Sequence, residues 1–188
     1  MTLLPAFKIG FWNAWIFMSV FLLQMLIIMF VDKRIWEKSH IPKEVKRNKF
    51  ERYVGIIGNI VWLAAMGYSV FLPIQQSSVW FFPGLIIYIA GLIIFAIATL
   101  NFVSTQADQL ITKGIYRYSR HPMYLATFLI CLGTGIASIS LLFVLLSALM
   151  FVCLYYESLI EERFCLEKYS NAYEKYMDNV PGWFGIPK

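Results

Sequence analysis

Residues 122–156 read PMYLATFLICLGTGIASISLLFVLLSALMFVCLYY, thirty-five positions without a charged side chain. As one helix they would run roughly 52 Å, far beyond a hydrocarbon core of about 30 Å. Split at 133–140 (GTGIASIS), they become two arms of about 16 residues, each slightly short for a bilayer. The stretch therefore reads as a tight helical hairpin. The small residues Gly133, Gly135, Ala137 and Ser138 are expected to let its two backbones approach closely.

Working outward, charge-free stretches recur at 11–31, 53–72 and 82–103, the last opened by Pro83-Gly84, a favourable helix start. With hairpin arms at 122–136 and 139–156, the chain reads as all-α. It is a single integral membrane domain over 1–188 with five transmembrane helices and a further helix in its C-terminal tail. The basic residues set its orientation. Eight Lys/Arg fall in 32–52, three in 104–121 and four from 157 onward, while Lys8 alone lies on the other side if the spans alternate. The positive-inside rule then predicts a cell-membrane protein with its N-terminus outside and its tail cytoplasmic. Trp12, Trp15 and Trp80 fall near predicted outer span ends, where amphipathic rings settle.

The composition, 60% hydrophobic and only 14% charged, is too apolar for a soluble domain. The net charge of +5 arises mainly in the 32–52 loop, where acids alternate with bases. Anionic lipid heads suit that loop better than nucleic acid. Charge-free spans argue against an ion pathway or proton relay. Two histidines, His40 and His121, and no HExxH or CxxC leave no metal site to expect. Cys131, Cys153 and Cys165 lack metal or redox spacing and read as apolar filler. The first span is too long for a cleaved leader and no small-residue cleavage site follows it.

Chemistry is then left to the two segments that flank the hairpin. The first, DQLITKGIYRYSRHPMY over 108–124, packs polar, cationic and aromatic groups against a helix starting at Pro122. Gly114 suggests a turn, and His121 stands where it can cap that helix or meet a ligand. The second, 157–181, reads as a helix leaving the membrane. There Tyr169, Tyr173 and Tyr176 share a face at i, i+4 and i+7, a stripe that Leu159, Glu162 and Leu166 extend. That stripe suits an amphipathic helix against the membrane face. Glu157, Glu161 and Glu162 repel one another unless cations or a cationic ligand compensate them. Arg163 and Lys168 are the nearest cations in sequence, and structural and functional readings stand level. The hairpin would bring 121 and 157 together, so that a His/Tyr/Arg cluster faces a Glu cluster at the membrane surface.

Gly114-Ile-Tyr116, Arg120-His-Pro-Met-Tyr124, then Glu161-Glu162, Tyr173, Tyr176 and Val180-Pro181, resemble the isoprenylcysteine carboxyl methyltransferase family, most closely its small prokaryotic and archaeal membrane members. The resemblance covers about 101–184, taken as the catalytic core. It implies a methyltransferase that uses S-adenosylmethionine, with S-adenosylhomocysteine as product, acting on a lipophilic small molecule or lipidated substrate at the cytoplasmic face. Family cofactor contacts carry over onto Asp108, Gln109, Leu110, Ile111, Tyr116, His121, Pro122, Met123 and Tyr124. A family glutamine aligns with Asn101. Glu161 corresponds to the first Glu of the family pair and is the implied catalytic and substrate-binding residue. The prenylcysteine enzymes carry an Arg four residues earlier, a natural partner for a substrate carboxylate. Here that position is Glu157, which stays a substrate-binding candidate but opens the acceptor to amines and other lipophilic groups.

A sulfonium donor is already activated, so positioning and desolvation suffice without a metal, and tyrosine faces can hold its positive charge. Two other readings compete. Sterol-reductase-like NADPH enzymes have a similar His-Pro-x-Tyr, but their tail carries an Arg/Asp-rich cluster with a Lys-Cys pair that Glu161-Glu162-Arg163-Phe164-Cys165 fits poorly. A non-catalytic membrane scaffold would tolerate loss of Tyr116, His121 and Glu161 together.

Overall fold

A computed structural model describes residues 8–31, 47–105 and 109–186. Most of the basic loop over 32–46, and with it His40, lies outside the described residues, as does Asp108. Among the described residues six α-helices follow one another: α1 (Trp15–Val31), α2 (Lys49–Val70), α3 (Phe81–Ser104), α4 (Pro122–Ala137), α5 (Leu141–Tyr169) and α6 (Asn171–Asn179), with a 3-10 turn at Gly114–Arg117. Among the described residues α2, α3 and α5 are long and apolar enough to cross a membrane, whereas Trp15–Ile27 and Pro122–Ala137 are shorter apolar helices. The sixteen residues of α4 rise only about 24 Å.

Local chemistry sets the helix limits. Asn48 and Glu51 form a reciprocal capping box, which starts α2 four residues before the charge-free stretch begins. Residues 11–14 are not helical, so α1 starts later than expected. The Asn13 amide donates to the carbonyls of Lys8 and Val70, and Ala14 N–H to Leu72, fastening the chain start to the loop after α2. The break between α4 and α5 is confined to Ser138, Ile139 and Ser140. Ile139 sits at φ 55°, and the Ser140 hydroxyl accepts the Phe143 N–H to cap α5.

The closest helix approach differs from the expected one. Among the small residues of 133–138, Gly135 does face the second arm, since a Cβ there would meet Val144 at 3.0 Å. Gly133 faces α3 instead, where a Cβ would lie 2.5 Å from Tyr88 N and 2.6 Å from Gly84 O. A Cβ on Gly84 would strike the backbone of Ala137. Gly84 thus serves the α3–α4 contact more than the start of α3, which already begins at Phe81. In an apolar solvent, close backbone packing of this kind replaces the hydrophobic drive between helices. Polar ties add to it: Tyr88 Oη donates to Phe17 O at 2.7 Å, and Gln24 Nε2 to Leu92 O at 3.1 Å. Met18, Phe21, Ile130 and Phe143 fill the centre.

α5 runs 29 residues, well past the predicted span end at 156, so span and tail helix are one rod. It stops at Ser170, whose φ of 47° turns the chain into α6. The expected single tyrosine face is therefore broken between Tyr169 and Tyr173. The rings still gather, because the turn folds Tyr173, Tyr176 and Val180 back onto Leu110, Cys165, Leu166 and Tyr169. Leu159, placed on that stripe by spacing, is exposed. One end of the bundle carries the turn at 138–140 and the loop after α2. The other carries Arg47, Glu51, the 114–121 segment and the tail.

Candidate active site

The second of these ends is organised by one carboxylate. Glu162 Oε1 accepts from Arg120 Nε at 2.9 Å, lies 2.8 Å from Arg120 Nη2 and pairs with His121 Nε2 at 2.9 Å. The Arg120 guanidinium also donates to the carbonyls of Met177 and Val180, and its backbone N–H to Pro181 and Gly182. Loop, α5 and tail are knotted at this point. The family resemblance favoured Glu161, yet Glu162 is the buried member of the pair, on the same seam of α5 as Ser158.

Glu161 is more exposed and stands on the other side of His121, with Oε2 3.5 Å from Nδ1. The Tyr124 hydroxyl lies close enough to Glu161 to feel its charge, and the Tyr124 ring stacks on His121 at 5.6 Å and 6°. Trp183, which sequence reasoning did not single out, tilts against both rings and rests on Phe151 at 4.7 Å. Tyr116 is buried beside them and feels the charge of Glu161, while its carbonyl accepts from Tyr176 Oη at 2.6 Å.

The third glutamate has its own partner. Arg47 binds Glu157 in a bidentate pair at 2.9 and 2.8 Å. The three carboxylates are thus compensated from outside their helix by Arg47, Arg120 and His121. Of the cations nearest in sequence, Arg163 pairs with Glu51, and Lys168 lies over the Tyr169 ring at 5.2 Å. Nothing in the alternating charges of the basic loop marks Arg47 out, because only folding carries it to α5.

Burial disfavours the charged form of His121, but hydrogen bonds and charge from Glu161 and Glu162 outweigh it and raise its pKa above the ordinary 6.5. Burial likewise opposes ionisation of Glu162, yet His121 and Arg120 hold its pKa below the usual carboxylate range. The Cys165 thiol is pushed up to about 12, chiefly by burial and then by the same two glutamates, which leaves it protonated and unreactive at neutral pH.

A pH dependence follows. His121 has a higher pKa folded than unfolded, so its ion pair contributes fully below the ordinary 6.5 and is lost as pH climbs through the raised folded value. Glu161 and Glu162 set it against burial, while Tyr124 stacks on the ring and Arg120 shares Glu162. In detergent, the melting temperature of the wild type is expected to fall more steeply than that of His121→Gln between about pH 6 and about pH 9. Parallel curves would count against a charged His121.

The remaining sequence candidates divide in two. The Asn101 side chain accepts the Ile115 N–H at 2.9 Å and packs on Gly114, whose φ of 62° and contact with Asn101 leave no room for a Cβ. Asn101, Gln109, Leu110 and Lys113 border a cavity of about 280 Å³ with Ser104 and Thr105. Ile111 is half-buried in the same loop. Pro122, by contrast, is the buried first residue of α4, and Met123 packs on the main core. Tyr116, His121, Tyr124 and Glu161 are the candidates brought into one cluster.

An all-helical, apolar protein with helices long enough to cross a bilayer and a polar, aromatic-walled cluster at one end defines the class. Residues 84–172 match the family model described as phospholipid methyltransferase. The chain is also 34% identical over 79 residues to Protein-S-isoprenylcysteine O-methyltransferase of Schizosaccharomyces pombe, an alignment covering 42% of this chain. It spans about a third (33%) of that relative's length. Both matches support the isoprenylcysteine-methyltransferase-like family that the 114–124 and 161–181 motifs resemble.

Proposed function

We propose that this chain is a membrane methyltransferase that moves a methyl group from S-adenosylmethionine to a lipophilic acceptor at the cytoplasmic face of the cell membrane. In this reading all five apolar helices span the bilayer, α4 being short because its turn lies just inside the outer interface, and the N-terminus is outside. The observation that carries it is the meeting of His121, Tyr124, Tyr116 and Glu161 at the charged end, within the segment that matches methyltransferases.

The cofactor fits the residues present. Amide, hydroxyl and ammonium groups of Asn101, Ser104, Gln109 and Lys113 border the 280 Å³ cavity and suit the hydroxyls and ring nitrogens of a nucleoside. When bound, the cofactor supplies a methyl group on an activated sulfonium. The chain's own residues then position and desolvate. Tyr116 and Tyr124 offer aromatic faces to a cation. Glu161, beside His121, offers a carboxylate to an ammonium group. The knot of Glu162, Arg120 and His121 fixes the loop against the tail so that these groups hold their geometry.

Titration calorimetry in detergent is expected to give micromolar binding of S-adenosylhomocysteine, weakened at least about tenfold by His121→Ala or Glu161→Ala. No heat with either cofactor or product would overturn the reading.

A further inference from the structure

Past α6 the chain is fastened to the loop before α4. Arg120 N–H donates to Pro181 O and Gly182 O, His121 N–H to Gly182 O, and the Ser119 hydroxyl to Gly182 O at 3.3 Å. Gly182 lies so near the Arg120 guanidinium that a Cβ there would stand 3.3 Å from Nη2. Gly185 folds back on Pro181, where a Cβ would meet Cγ at 2.7 Å. Residues 181–185 thus form a tight turn on the candidate site, with the Trp183 ring against the site and Phe184 outside.

The Trp183 ring touches two surfaces at once. One is the site, through His121 at 6.2 Å and Tyr124 at 6.5 Å. The other is α5, through Phe151 at 4.7 Å and Tyr155, on which it stacks at 6.3 Å and 23°. Tyr155 is exposed and belongs to an outward stripe of α5, Val152, Tyr155 and Leu159, at i, i+3 and i+7. α5 is long and apolar enough to cross a bilayer, and there this stripe faces lipid. Beyond Trp183, Phe184 is 79% exposed and Ile186 90%. Large apolar side chains grouped in the open mark a surface that something covers. These two adjoin a Trp and a Tyr, the side chains that settle where a bilayer meets water.

We infer that residues 183–186 are an interfacial anchor: Phe184 and Ile186 enter the headgroup boundary of the bilayer and so hold Trp183 against His121 and Tyr124. Lipid is the occupant, because the two side chains continue the face of α5 that a bilayer already covers. Two apolar side chains alone bind a membrane weakly. Tethered beside a spanning helix they need no separate encounter, so their insertion is effectively intramolecular. The anchoring itself is independent of the chemistry, whereas its effect on cofactor binding rests on the methyl-transfer reading.

The test uses the whole protein in phosphatidylcholine nanodiscs. Bimane attached at Phe184→Cys should be quenched at least about twofold more than bimane at Glu174→Cys, an exposed position of α6, when the lipid carries a nitroxide near its headgroup. Labelled wild type gives the background from the three native cysteines. Phe184→Ser combined with Ile186→Ser should raise the Kd of S-adenosylhomocysteine about tenfold without lowering the melting temperature, since neither side chain belongs to the core. Trp183→Leu should weaken that binding as much, and Trp183→Phe, which keeps a ring against Tyr124, should retain most of it. Equal quenching at 174 and 184, shielding of position 184 only in discs that hold two copies, or unchanged product binding by the double variant would overturn the inference. Wild type that binds no S-adenosylhomocysteine would instead remove the methyl-transfer reading, and quenching at position 184 would still decide the anchor.

Discussion

Glu162→Ala is expected to produce the largest loss of stability of any single charge deletion in this chain. It leaves the Arg120 guanidinium and the His121 ring without the oxygen they share, in a site where the Arg120 and Glu162 side chains are only 13% and 12% exposed. Removing one partner of such a buried pair costs about 3–5 kcal/mol. For a chain of this size that corresponds to a melting temperature lower by roughly 10 °C. The effect should spread to the tail, because Arg120 also holds the carbonyls of Met177 and Val180. The control is Arg163→Ala. It breaks the pair with Glu51, whose arginine side chain is 44% exposed, and such surface pairs are worth about 0–1 kcal/mol. Thermal melts followed by circular dichroism separate the two, and equal losses would show that Glu162 is no hub.

Gly133→Ala should be comparably damaging for a different reason. The added methyl would press on Tyr88 N and Gly84 O, backbone atoms that no rotamer change can move aside. Overpacking of this kind costs about 1–3 kcal/mol and occasionally more, and here it forces α3 and α4 apart along their main contact. Gly67→Ala is the matched substitution, since nothing lies within 4 Å of a Cβ at that position in α2. Helix propensity alone then predicts a gain of roughly 0.5–1 kcal/mol. Monodisperse yield and melting temperature in detergent should move in opposite directions for the two variants.

Several elements were legible because they depend on neighbours in sequence. Residues without charge, long enough to matter, give α2, α3 and α5, and Pro122 marks the start of α4. The cluster at 114–124 with 161–162 was legible from motif spacing. Which of two adjacent carboxylates turns inward was not, since positions 161 and 162 differ by only about 100° around a helix. The choice of Glu162 depends on where Arg120 and His121 stand. The partner of Gly133 was equally hidden, because a small residue shows that something approaches and not which helix does. Trp183 carries no spacing signal at all; its place against His121, Tyr124 and Phe151 exists only once Arg120 has bound the tail.

The sequence by itself determined that this is an apolar, helical chain whose charges are concentrated in a few segments, and that chemistry must lie in the two segments flanking residues 122–156. Period and charge are local properties, written residue by residue. Only the tertiary structure decided how that charge is neutralised: Arg47, just before α2, on Glu157, and Arg120 with His121 on Glu162. Those pairs join residues 41 to 110 positions apart, and an ion pair is set by distance in space, on which spacing along the chain is silent.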